Sequence, residues 1–204
     1  MTHAVHDLVI RNVAPVDASE ITDLVAAAMH DGPVARWLQP DDGVRHAASP
    51  DYFAIFVEHA LRYGEVYATK DGTGRLTGAA LWFPLAATLP LPVDYDRRLK
   101  EIAGEAHDRM CLLDAAMEAE HPTEPHHYLA FLAVRPDQQN HGLGSTLLRR
   151  HHRRLDAAGV PAYLEANDPR NRDLYLRHGY QVRSVIDLPD GPPLWSMWRS
   201  PMED

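Results

Sequence analysis

Residues 138–148 read QQNHGLGSTLL and set Gln139, Gly142 and Gly144 directly before a run with helical apolar spacing. The first turn of a helix leaves its N–H groups without intrahelical partners, and its dipole favours an anion there. Glycines let the backbone curl and let a ligand approach without meeting a Cβ. A strand, then Gln139-x-x-Gly142-x-Gly144, then a helix has the makings of a phosphate cradle. On two glycines alone, a plain tight strand-to-helix turn is the better reading. Two other phosphate loops do not fit. The Walker form needs a lysine that is absent here, and the dinucleotide fingerprint needs a third glycine where Leu147 stands. Glu165 lies in the apolar run PAYLEA (161–166), where a carboxylate needs a reason to exist.

The 13 histidines raise the question of a metal. His151 and His152 are adjacent, so on a helix they diverge by about 100° and do not easily share an ion. HPTEPHH (121–127) offers at most a weak site in a Pro-broken loop. No structural or catalytic metal is expected. Arg149, Arg150, Arg153 and Arg154 form a basic run that reads chiefly as a solvated helix face.

These residues need elements to hold them. DLVIRNV (7–13) reads as a first strand. Asp17 and Glu20 suggest a capping box, followed by Ile21, Leu24, Val25, Ala28 and Met29 at helical spacing. Residues 31–43 look like a loop, and Ser49 and Pro50 like the start of a helix striped by Phe53, Phe56, Val57, Ala60 and Leu61. EVYATK and RLTGAALWF flank DGTG (71–74), a hairpin signal. One long helix is predicted over 94–119, burying Leu99, Ile102, Ala106, Met110, Leu113 and Met117. HYLAFLAV (127–134) and PAYLEA are apolar enough to be central strands. A short helix over 171–179 and two strands around PDGPP (189–193) complete a mixed α/β fold around one sheet.

The chain has 204 residues, 45% hydrophobic and 24% charged, with no internal repeat or linker. One domain over 1–204 is the simplest reading. Its formal charge of −9 argues against nucleic acid as a partner. No apolar run approaches the roughly 18 residues of a membrane span, and no secretory signal is seen at the start. Cys111 is the only cysteine, so a reducing, cytoplasmic setting is expected.

LAVRPDQQNHGLGSTLL resembles the coenzyme A signature of the GCN5-related N-acetyltransferase (GNAT) superfamily. LEANDPRNRDLYLRHGY looks like the next block of that superfamily, in the right order and at the right separation. EP (124–125), FLAVRPDQQ, GLGS, AGVPAYLE, PRN (169–171) and DLPDGPPLWSM bring residues 124–198 closest to the puromycin N-acetyltransferase-like antibiotic-resistance group. Upstream the likeness is faint. Two positions depart from the pattern: His141 stands where Arg or Lys is common, and Asn140 where Gly or Arg is.

The resemblance implies an α/β (α+β) GNAT fold: one mixed, mostly antiparallel sheet of about seven strands, with two central parallel strands splayed apart. Acetyl-CoA, as cosubstrate, would sit in the splay. It implies pantetheine pairing with the strand 132–134 (Leu132, Ala133, Val134). It implies a pyrophosphate held by the amides of Gln139, Asn140, His141, Gly142, Leu143, Gly144 and Ser145. Asn171 and Tyr175 would face the thioester, with Tyr175 in the general-acid position. Acetyl transfer needs a base for the amine, and Glu165 is the first candidate, ahead of His126 and His127. Asp31, Trp37, Trp82 and Phe83 are acceptor-pocket candidates, although core packing suits Trp82 and Phe83 better. The expected reaction is direct transfer to a small-molecule amine, with the chain a monomer or homodimer. A protein or peptide acetyltransferase and a non-catalytic coenzyme A sensor are the alternatives. Cys111 reads as a core residue with no part in transfer.

Overall fold

The computed structural model describes residues 11–12, 17–86 and 89–202. In chain order the elements are β1 (Arg11–Asn12), α1 (Ala18–Met29), α2 (Pro33–Leu38), α3 (Asp42–Tyr63), β2 (Glu65–Lys70), β3 (Leu76–Leu85), α4 (Tyr95–Ala103), α5 (His107–Glu120), β4 (His126–Val134), α6 (Leu143–Ala158), β5 (Ala162–Ala166), α7 (Pro169–Arg177), β6 (Gln181–Ile186) and β7 (Leu194–Arg199). The strand expected over 7–13 is seen as β1 alone; its first four residues and Val13 lie outside the described residues.

The strands form one 7-stranded sheet in the order β1-β2-β3-β4-β5-β7-β6. Every neighbouring pair is antiparallel except β4 and β5, which are parallel. This is the architecture expected from the sequence. Asp71 starts the β2–β3 hairpin by accepting from the Thr73 N–H, the Thr73 hydroxyl and the Arg75 N–H.

Helices cover both faces. Ile21 and Val25 of α1 and Phe53, Val57 and Ala60 of α3 pack on Ala79, Leu81 and Phe83 of β3. On the other face Leu147, Leu148 and Leu155 of α6 pack on Ala80, Trp82, Leu129 and Leu164. Helices thus cover both faces of the central strands, which accounts for their near-continuous apolar composition. Gly64, which ends α3, is needed for space: a Cβ there would lie 2.4 Å from the Trp82 carbonyl oxygen.

The first half departs from expectation in four places. Residues 31–43 are not all loop: α2 starts at Pro33, with Gly32 as its extended N-cap. Helix α3 begins eight residues before Pro50, at Asp42, and Asp41 caps it by accepting from the Val44 N–H at 2.8 Å. Its first turns are fastened by Arg45, 6% exposed, which donates to the carbonyls of His30, Gln39 and Pro40. Ser49 donates its hydroxyl to the Arg45 carbonyl at 2.7 Å, one turn before the proline that has no N–H to give. The Asp17–Glu20 capping box is absent: Asp17 makes no side-chain cap bond, and Glu20 instead accepts from the Leu76 N–H that opens β3. The long helix breaks at Gly104, φ +51, into α4 and α5, while Leu99, Ala106, Met110 and Leu113 keep one buried stripe across the break. In the second half, α7 starts at Pro169 rather than 171, because Asp168 caps it by accepting from the Asn171 N–H.

Two α6 histidines set an acid limit on this packing. Burial pushes His151 down to about 2, helped by the charge of His127. Burial pushes His152 down to about 3, helped by Arg199. In the unfolded chain a histidine titrates near 6.5. The unfolded state therefore binds more protons as pH falls through 6.5, and stability is lost from there downward. At pH 5 each group removes about 2 kcal/mol. Urea unfolding of His152→Gln, which keeps a hydrogen-bonding partner for the Tyr180 hydroxyl, is expected to show about 2 kcal/mol less loss between pH 7 and 5 than wild type. An unchanged loss would clear His152 of that role.

Candidate active site

Strands β4 and β5 pair only at His127↔Ala162 and Tyr128↔Tyr163, among the described residues. Beyond Tyr128 they part, while β4 stays paired to β3 as far as Val134↔Gly78. A bulge lies at the fork: Trp82 pairs with Leu129 and Leu81 with Phe131, so Ala130 has no opposite number. A bulge turns its strand at that point. The Arg135 N–H donates to Thr77 of β3. By the two-residue alternation of a strand, the Val134 and Leu132 backbone faces the open side, and that of Ala133 faces β3. The side chain of Gln139 reaches back and donates to the Val134 carbonyl at 3.3 Å.

The glycine loop closes the wide end of this fork. Asn140 at φ +65 and Gly142 at φ +81 curl the chain into α6. Residues 139–142 are exposed, α6 has no side-chain cap, and its first turn carries no acidic residue. Thr146 is the first to bond back, donating to the Gly142 carbonyl, so the amides of Leu143, Gly144 and Ser145 precede the intrahelical ladder. A Cβ at Gly144 would meet Leu132 and Val134 of β4 and Leu174 of α7 at 3.6–3.8 Å, so the loop runs close to both elements. The His141 side chain stays exposed, and Asn140 accepts from Arg170 at 3.0 Å.

Helix α7 supplies Asn171 and Tyr175. Asn171 donates its side-chain amide to Asn167 at 2.9 Å. Tyr175 is 7% exposed, edge-on to Tyr180 with centroids 5.7 Å apart, on the α6 side of the sheet. Burial, and then the charge of Asp168, push its hydroxyl well above the usual tyrosine range.

Glu165 lies two residues past the last β4–β5 pair, opposite Ser196 of β7. Its side chain is 3% exposed and shares a face with Tyr163, opposite the face of Leu164. Glu165 Oε1, the Tyr163 hydroxyl and His126 Nε2 are all buried without a hydrogen-bond partner among the described residues. An unpaired buried polar atom costs about 1–3 kcal/mol, so this cluster is not neutral core packing. Burial and then the Glu165 charge raise both Tyr128 and Tyr163. His126 donates through Nδ1 to the Glu124 carbonyl at 2.7 Å, and burial lowers it, which keeps it neutral. His127 points the other way and shares a hydrogen bond with His151 of α6 at 3.1 Å.

The acceptor candidates do not gather here. Trp82 is fully buried and stacked on His151 at 4.0 Å, on the face away from Glu165. Phe83 is 6% exposed inside the α1–α3 core. Asp31 lies on the surface, 79% exposed, paired to Arg36, which holds it below the usual carboxylate range. Trp37 packs beneath the β6–β7 connection and donates to the Pro189 carbonyl. Sequence reasoning missed His121, whose Nδ1 lies 3.7 Å from Glu165 Oε1; membership of HPTEPHH was its only signal. Cys111, expected in the core, is exposed on α5 beside His107. Cys111→Ala is expected to leave the rate of acetyl transfer within about twofold of wild type, since such surface changes rarely exceed ±0.5 kcal/mol. Abolished turnover in a folded variant would instead make the thiol a carrier of the acyl group.

The fold as a whole has counterparts among known proteins. The family described as acetyltransferase (GNAT) domain matches residues 102–182. Over that stretch the chain is similar to the acetyltransferase domain of the GNAT superfamily. A solved structure described as histone acetyltransferase HPA2 and related acetyltransferase, from Corynebacterium glutamicum, is 29% identical over 97% of this chain and 98% of its own, with a TM-score of 0.73. Arylalkylamine N-acetyltransferase 2 from Aedes aegypti shares the fold at 12% identity, TM-score 0.71, covering 96% of this chain and 100% of its own. The polyamine N-acetyltransferase of Drosophila melanogaster does so at 16%, TM-score 0.66, over 95% and 100%. The protein is an acetyl-CoA-dependent N-acetyltransferase. Among the described residues, no helix of this enzyme is long and apolar enough to cross a membrane.

Proposed function

We propose that the enzyme passes the acetyl group of acetyl-CoA directly to the amine of a small molecule, within a ternary complex. The observation that carries this reading is the placement of Glu165 and its two unpaired neighbours at the fork, with the glycine loop at its open end. The loop suits an anion: the amides of Leu143, Gly144 and Ser145 precede the intrahelical ladder, its first turn has no carboxylate, and its curl leaves room that a Cβ would not fill at Gly142. The amides of Asn140 to Ser145 hold the pyrophosphate, while the Gln139 N–H, also expected there, is given to the Pro136 carbonyl, and the Leu132 and Val134 backbone pairs with pantetheine. Bound acetyl-CoA supplies an activated thioester carbonyl.

Glu165 takes a proton from the incoming ammonium so that the nitrogen lone pair is free to attack. Tyr175, its hydroxyl held above the usual tyrosine range by burial and then by Asp168, donates to the departing sulfur. Asn171 lines the α7 side of the fork. The acceptor is a compact amine, and the likeness of residues 124–198 supports an aminonucleoside-like antibiotic or a related metabolite amine.

Free-thiol release from acetyl-CoA tests this, with puromycin, arylalkylamines, polyamines and amino acids as acceptors. Turnover of one or more, with intersecting initial-rate lines, is expected. Parallel lines would mean an acyl-enzyme and would end the ternary-complex reading.

A further inference from the structure

Acetylation of an ammonium releases one net proton. R–NH3⁺ and the thioester become the amide, the free thiol and H⁺. If Glu165 takes that proton, it must hand it to water before the next turnover, yet its side chain is 3% exposed. The route is not through His126, whose Nδ1–H is committed to the Glu124 carbonyl and which is 2% exposed. Tyr128 and Tyr163 are phenols raised by burial, poor at accepting or passing a proton near neutrality.

His121 differs from all of these. It follows the last residue of α5 and is succeeded by Pro122. Its ring sits among His126, Tyr128 and Tyr163, with centroids 5.1, 5.0 and 4.9 Å away. Its Nδ1 is 3.7 Å from Glu165 Oε1, and its side chain is 21% exposed. That contact is longer than a hydrogen bond, as is common in sites before substrate binds. One end of the imidazole thus faces the buried carboxylate and the residue as a whole reaches solvent.

We infer that His121 is the proton outlet of the site, an imidazole that takes the proton from Glu165 and passes it to water. It acts through Glu165 and touches neither substrate, and the inference rests on the transfer reaction proposed above. The step balances: the O–H bond on Glu165 breaks, an N–H bond forms on His121, and the imidazolium loses its other ring proton to solvent. The groups facing it are Glu165 and Tyr163 of β5 and His126 and Tyr128 of β4, while the preceding Glu120 accepts from Ser184 of β6.

The test is steady-state acetylation of an amine that wild type accepts, using His121→Ala and His121→Gln. Both are expected to lose about tenfold in kcat at pH 7 with acetyl-CoA affinity unchanged, and added imidazole is expected to restore His121→Ala alone. His121→Gln at wild-type kcat overturns the outlet. So does a loss in His121→Ala that imidazole leaves untouched while coenzyme affinity and melting temperature match wild type. A wild-type chain that acetylates no amine but binds coenzyme A removes the transfer reading itself, and the outlet with it.

Discussion

Tyr175→Phe is expected to lower kcat about 100-fold while leaving the Kd for coenzyme A within about twofold. The substitution removes one oxygen and keeps the ring that packs on Tyr180. Burial and Asp168 hold the hydroxyl protonated far above neutral pH. A thiol has a reference pKa of about 8.5 and an unperturbed tyrosine about 10, so the phenol donates to a thiolate as charge develops there without being a strong acid. An acid that acts only as the C–S bond breaks contributes to kcat and little to binding. Stopped-flow thiol release and calorimetric coenzyme titration separate the two. Unchanged kcat would leave Tyr175 as a core aromatic of α7 and no more.

Glu165→Gln should be as damaging near neutrality, by about 100-fold or more in kcat/KM, and its damage should fade as pH rises. An alkylamine with a pKa near that of lysine, about 10.4, is neutral in roughly 1 molecule in 2,500 at pH 7. Without a base the enzyme must capture that fraction, so log kcat/KM climbs with a slope of about one towards the amine pKa. Glutamine is close in shape, and the neighbouring Tyr163 and His126 atoms that lack partners remain available to it. The measurement is a pH profile of wild type and variant with one alkylamine. A variant that stays equally depressed at high pH would show that Glu165 supports the site by shape or charge instead.

The parts of this enzyme governed by local chemistry were legible in its sequence. Asp71 and the glycines of DGTG set the β2–β3 hairpin, and the apolar runs of β4 and β5 announced central strands. The curl at Asn140 and Gly142 leads into α6 at the expected place. What stayed hidden depends on contacts far along the chain. Glu20 leaves its own helix end to satisfy Leu76, 56 residues away, so a capping box never forms. Arg45 anchors the first turns of α3 to carbonyls of the preceding connection, which moves the helix start well ahead of Ser49 and Pro50. The stripe from Leu99 to Leu113 survives the kink at Gly104, so periodicity alone suggested one helix where there are two. Trp82 and Glu165 lie on strands of one sheet but on opposite faces of it, a distinction that needs the register of β3, β4 and β5 together. His121 becomes neighbour to Glu165 only when the end of α5 is laid beside the fork.

The proposed reaction depends on coenzyme A lying in the fork with its pyrophosphate on the glycine loop. Titration of coenzyme A into ¹⁵N-labelled protein, followed by amide resonances, tests it most directly. The largest shifts are expected at Gly142, Leu143, Gly144 and Ser145, with accompanying shifts at Leu132 and Val134. Saturable binding that leaves those six amides unmoved would contradict it.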